Sequence, residues 1–155
     1  MKFINVNTQC FKNNFLLGQN GALSLISSID STQENDKYII GAFSIITFIS
    51  IRGTINKNDK DNPLDTNKTL SFRIRFTKLD EDSEKQLSYD LKDFDIDLKK
   101  EKIHKACFDY VERIEVLNIN KITLEQKGAY VIKIMVKEKD KEKYEIQTLH
   151  PLYVN

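Results

Sequence analysis

Polar and apolar residues alternate through Thr69 to Leu79, with Leu70, Phe72, Ile74 and Phe76 on one parity and Ser71, Arg73, Arg75 and Thr77 on the other. Successive side chains of a strand point to opposite faces, so this period of two predicts a half-buried β-strand. A second alternation runs from Leu87 to Leu98, where Phe94, Ile96 and Leu98 oppose Asp93, Asp95 and Asp97. From Tyr38 to Ile51 both parities are apolar, with Ile39, Phe43, Ile45, Ile49 and Ile51 against Ile40, Ala42, Ile46 and Phe48. That pattern predicts a central strand covered on both faces and bent at Gly41. A buried helix is the alternative, and the β-branched enrichment favours the strand.

Weaker signals fill the rest of the chain. Ala22 to Ile29 predicts a short strand closed off by the polar stretch Asp30 to Lys37, and Asn56 to Lys68 collects Asn, Asp and a Pro into an exposed loop. An acidic turn, Asp80 to Ser83, follows the strand at 69 to 79. Between Lys99 and Leu117 two periods coexist: Ile103, Ala106, Cys107, Tyr110, Val111, Ile114 and Leu117 recur at helical spacing, while Phe108, Tyr110, Ile114 and Val116 fall at even spacing. The preferred reading is a strand from about Cys107 to Leu117, entered through an irregular segment or one short helix near 99 to 106. Gly128 to Val136, the charged KEKDKEK and the returning YEIQTL predict a closing β-hairpin. About seven strands without a repeated strand-then-helix rhythm predict an all-β fold, an antiparallel β-sandwich of immunoglobulin-like or jelly-roll type, in one domain spanning 1 to 155.

Composition narrows the function classes. Lys and Arg number 24 against 23 for Asp and Glu, so the net charge of +1 gives no broad field for polyanions. The opening MKFINVNTQ has neither the apolar stretch nor the cleavage site of a secretory signal, and Tyr38 to Ile51 is too short to cross a bilayer. Two cysteines, Cys10 and Cys107, stand far apart in no paired motif. Together these predict a cytoplasmic protein with reduced thiols, no membrane span and a mature chain beginning at Met1.

Each candidate chemistry meets a plainer reading. Asp93, Asp95 and Asp97 offer oxygen ligands for calcium, yet a helix-loop-helix calcium loop needs Gly and Glu where Leu98 and His104 stand. The loop acids Asp59, Asp61 and Asp65 carry the same weak signal. His104, His150, Cys10 and Cys107 share no zinc-ligand spacing. Cys107 and His104, as nucleophile and base, lack a third orienting group. Arg73 and Arg75 sit on the face opposite Phe72 and Phe76, whereas sheet readers of single strands expose aromatic and basic side chains together. The lysines of 99 to 105 and 137 to 143 are interrupted by Glu101, Glu138, Asp140 and Glu142. No catalytic, cofactor or metal residues are therefore assigned. Pairing of Arg73 and Arg75 with Asp93, Asp95 and Asp97 across adjacent strands is the plainer account of those charges.

Two patches resemble a group of uncharacterised bacterial β-sandwich domains. One is Ala22 to Phe48, with its polar insertion before YIIGAFSIITF; the other is ITLEQKGAYVIKIMV with a last strand ending in Leu152, Tyr153 and Val154, where Gly128 and Tyr130 open the penultimate strand. The chain departs from that pattern at Gln126 and Lys127, where a Pro is common, and in its longer loop at 56 to 68. The resemblance implies the fold and no activity. The functional expectation is a non-enzymatic protein-binding or accessory module without cofactor. Its partner is expected to be another protein, neither nucleic acid nor membrane, met at strand edges and at the loops Asn56 to Lys68 and Asp80 to Lys85. Homo-oligomerisation through strand edges is a second route. The alternatives are a hydrolase-like enzyme whose carboxylates converge only in the fold, and a phage-type or structural assembly component.

Overall fold

The computed structural model describes residues 3–13, 23–53, 62, 64, 67–79, 87–105 and 108–155. Cys107, Asp59, Asp61, Asp65 and the turn Asp80 to Ser83, together with most of the loop at 56 to 68, lie outside the described residues. The fold is all-β, and the described residues form thirteen strands rather than seven: β1 (Ile4–Asn13), β2 (Leu23–Leu25), β3 (Ser28–Ile29), β4 (Thr32–Glu34), β5 (Lys37–Ile40), β6 (Phe43–Arg52), β7 (Thr69–Lys78), β8 (Ser88–Asp97), β9 (His104–Lys105), β10 (Asp109–Ile119), β11 (Ile122–Leu124), β12 (Gly128–Glu138) and β13 (Glu145–Val154). They build two five-stranded sheets, β2-β1-β6-β10-β9 (sheet I) and β3-β13-β12-β7-β8 (sheet II), and a small sheet β11-β5-β4. Every pairing is antiparallel except β3 with β13, which is parallel.

The alternation at 69 to 79 and at 87 to 98 is borne out by β7 and β8, whereas β1, equally long, lies in an opening stretch where the pattern predicts no strand. On β7, Leu70, Phe72, Ile74 and Phe76 are buried in the core, with Ile132, Ile134 and Val136 of β12 beside them. Phe72 stacks on Phe94 of β8 at 5.1 Å between centroids, and Phe76 stacks on Tyr130 at 4.4 Å. Tyr130 spends its polar end on Gln126, donating to that carbonyl at 2.6 Å, so a large ring is buried without an orphaned hydroxyl. Gly128 opens β12 at φ 118, a conformation that side chains rarely adopt.

Several expectations need correction. The stretch from Tyr38 to Ile51 is two strands in different sheets, β5 and β6, parted at Gly41 and Ala42. A Cβ on Gly41 would lie far inside contact with the carbonyl oxygen of Asn120, so the chain passes too closely there for any side chain. Nor is β6 covered on both faces, since Phe48 is 41% exposed. The polar stretch Asp30 to Lys37 contains β4 and a two-residue turn at Asn35 and Asp36, both at positive φ, the backbone that joins tight hairpins. Ala22 to Ile29 divides into β2 of sheet I and β3 of sheet II. No helix occurs near 99 to 106 among the described residues; residues 98–100 form a turn, and His104 with Lys105 is a two-residue strand. The ambiguous run that follows is β10, starting at Asp109 rather than Cys107.

Candidate functional site

Antiparallel pairing fixes which backbone groups each strand spends on its neighbour, because alternate residues bond to one side and the rest aim away. Arg52 N–H donates to the Phe3 carbonyl at 2.9 Å, and Gly53 N–H to the Asp109 carbonyl at 2.8 Å. Even-numbered residues of β6 thus bond toward β1, and odd-numbered ones toward β10. Glu115 of β10 faces Thr47 and Leu117 faces Ile45, so the odd residues of β10 meet β6. Ile114, Val116 and Asn118 therefore point their N–H and C=O groups away from it. β9 flanks β10 only at Asp109 and Tyr110, and no described strand pairs with β10 beyond them.

The remaining long edges are guarded. β1 and β13 face each other across one side of the sandwich: Gln147 donates from Nε2 to the Ile4 carbonyl at 2.8 Å, the His150 ring hydrogen-bonds to the Thr8 backbone, and Ile26 N–H donates to the Cys10 carbonyl at 2.9 Å. Pro151 removes one amide from β13. β8, at the other end of sheet II, carries Asp90, Asp93 and Asp95, and charge on an edge discourages further pairing. The β10 edge instead carries Ile114 at 60% exposure and Val116 at 48%. Both stand beside Phe48 and Ile46 of β6 on the outer face of sheet I. A groove of about 450 Å³ runs over this face, lined by Asn5, Asn7, Phe48, Ser50, His104, Glu112 and Ile114, residues drawn from four strands. His104 stacks on Tyr110 at 5.1 Å at the groove's end.

Charged side chains hold β10 against sheet II without covering its edge. Glu115 accepts from Lys92 of β8 at 3.2 Å and from Arg113 at 2.8 Å, and Arg113 also reaches Glu101 at 2.6 Å. Sheet I has three long strands and sheet II four, and the β1 side is closed against β13. β8 therefore projects past β10, opposite a place in sheet I where, among the described residues, only the two-residue β9 lies.

The residues considered for other chemistry go elsewhere. Arg73 makes a two-pronged contact with Asp93, at 2.8 and 2.7 Å, as the cross-strand reading expects. Arg75 pairs with Asp90 instead of a member of the Asp93 series, because a register shift between Ile74 and Arg75 leaves Leu91 as an extra residue on β8. Asp95 accepts from Ser71 and Lys139, both at 2.7 Å, while Asp97 accepts the Lys99 amide at 3.1 Å. These bonds hold the carboxyls of Asp90, Asp93 and Asp95 below the usual carboxylate range, the direct bond to the cation being the largest cause in each. Arg73 also lies 4.9 Å over the Tyr144 ring. Cys10 is buried on β1, while His104 sits on β9, separated from it by β6 and β10. No group of three or more metal-ligating side chains occurs among the described residues. The β10 edge itself was missed in the sequence, although exposed apolar residues at even spacing, Ile114 and Val116, were its signal.

No protein-family profile matches the chain, and no curated protein matches it. Among solved structures it is similar to the CooA pilin subunit from enterotoxigenic Escherichia coli, with 11% identity, a TM-score of 0.38, and coverage of 98% of this chain and 95% of that one. That likeness is too slight to carry an argument about function. No helix among the described residues is long and apolar enough to cross a membrane.

Proposed function

We propose that the protein is a non-enzymatic binding module that accepts an extended segment of another protein along the free edge of β10. The observation that carries this reading is the coincidence, on one strand edge, of backbone groups at Ile114, Val116 and Asn118 that no described strand takes up with the exposed aliphatic side chains of Ile114 and Val116. A strand added there gains main-chain hydrogen bonds and covers apolar surface in one step. The hydrolase-like alternative asks for convergent carboxylates with one pKa raised, and the shifts at Asp90, Asp93 and Asp95 run the other way.

Val116→Pro tests the reading. Its amide faces away from β6, so proline there removes an edge donor and leaves the β6 ladder whole. In a screen of alternating seven-residue peptides, those bound by the wild type are expected to lose the variant, whose melting temperature stays within a few degrees. Binding that survives the substitution, or turnover of a substrate by the wild type, contradicts the proposal.

A further inference from the structure

We infer that the segment taken up at β10 is antiparallel and carries the pattern aliphatic-x-aliphatic-x-Lys/Arg; this rests on the strand-edge reading above and specifies its partner. Opposite residues of an antiparallel pair place their side chains on the same face. A guest strand running against β10 sets successive outer-face side chains beside Val116, then Ile114, then Glu112. The first two neighbours are exposed and aliphatic and match aliphatic partners. Glu112 is exposed, lines the groove over Phe48 and Ser50, and has no ion-pair partner among the described residues. Two neighbouring carboxylates are engaged, Glu115 by Lys92 and Arg113, and Glu101 by Arg113. An uncommitted negative charge beside an apolar stripe selects a long cationic side chain, whose stem lies along Ile114 while its head meets the carboxylate.

A second copy of this chain fits less well. Pairing β10 edge to edge would bring two sheets II toward the same space, because each β8 already projects past its own β10; one strand is accommodated and a whole sandwich is not. The guest ends at β9, where His104 takes the place beside Tyr110.

The test is a titration of uniformly labelled protein, followed by amide NMR shifts, with three capped peptides. The first is Ser-Thr-Val-Thr-Ile-Thr-Lys, the second ends in Glu instead of Lys, and the third is the first with N-methyl groups on Val and Ile. The Lys peptide is expected to shift residues 112 to 118 and to bind about five- to tenfold more tightly than the Glu peptide at low salt, the scale of one exposed ion pair gained against one like-charge contact. Glu112→Gln should bring the two affinities together, and N-methylation should abolish binding. Equal affinity of the Lys and Glu peptides overturns the charge assignment and leaves strand addition standing. Unimpaired binding of the N-methylated peptide, or no binding by any peptide, overturns strand addition itself. Shifts at 112 to 118 that appear on raising the protein concentration alone make a second copy the occupant and overturn the peptide assignment.

Discussion

One buried and one half-buried side chain show how single residues report on this sandwich. Burial pushes the Cys10 thiol up to about 12, so almost no thiolate exists at pH 8 in the folded protein. In a Cys107→Ser background, Cys10 is expected to resist a thiol reagent until denaturant unfolds the chain; rapid labelling of the native protein would contradict its place in the core. His150 is pushed down from its ordinary 6.5, chiefly by burial, and its Nε2 is buried without a partner among the described residues. Its folded pKa is lowered, so above about pH 6.5 both folded and unfolded forms are neutral and the group costs nothing. As the pH falls below that value the unfolded chain takes up the proton first, and stability drops until the folded pKa is reached. Urea unfolding between pH 7.5 and 5 should show this loss, and His150→Gln should flatten it. At lower pH the lowered carboxyls of Asp90, Asp93 and Asp95 act in the same direction. Their contribution is present above the unfolded value near 3.8, fades as the pH falls through the folded one, and is small because these side chains are about half exposed.

At the scale of elements, the close approach of Gly41 to Asn120 divides one apolar run into β5 and β6. Gly41→Ala forces a methyl into backbone and is expected to destabilise by about 1 to 3 kcal/mol, read as a lower denaturant midpoint with an unchanged slope. An unaltered midpoint would show that the passage is looser than described. The strands most legible in the sequence, β7 and β8, are those with one apolar face in the core and one face of charged and polar residues, where burial imposes the period of two; β12 was legible instead from Gly128 and the charged turn that bound it, since Val131 and Met135 on its second face are buried too. β6 misled because both its faces are apolar for different reasons: Ile45, Ile49 and Ile51 fill the core, while Phe48 lines a surface groove. β4 was hidden because Thr32, Gln33 and Glu34 are all exposed and no burial marks them; the Asn35 and Asp36 turn was the readable clue. The run at 99 to 117 resisted because β10 is exposed on its outer face at apolar positions, which blurs alternation into helical spacing. The pairing of Arg75 with Asp90 was beyond reach, since a bulge leaves no periodic trace.

For the whole molecule, the consequence is an unequal sandwich. Sheet II carries one more long strand than sheet I, one side is closed by Gln147 and His150, and on the other, among the described residues, no strand takes up the outward backbone groups of β10 beside its aliphatic surface. The candidate site could not be read from any motif, because it consists of main-chain groups that every residue has and of a place in the sheet order that only the fold defines. Amide hydrogen exchange along β10, measured on the dilute protein and again with the Lys-terminated peptide, tests this most directly. Arg113, Glu115 and Leu117 are expected to be protected throughout, while Ile114, Val116 and Asn118 exchange fast alone and slow when the peptide is added. Equal protection of both sets in the dilute protein would mean that the edge is already covered, and would contradict the account.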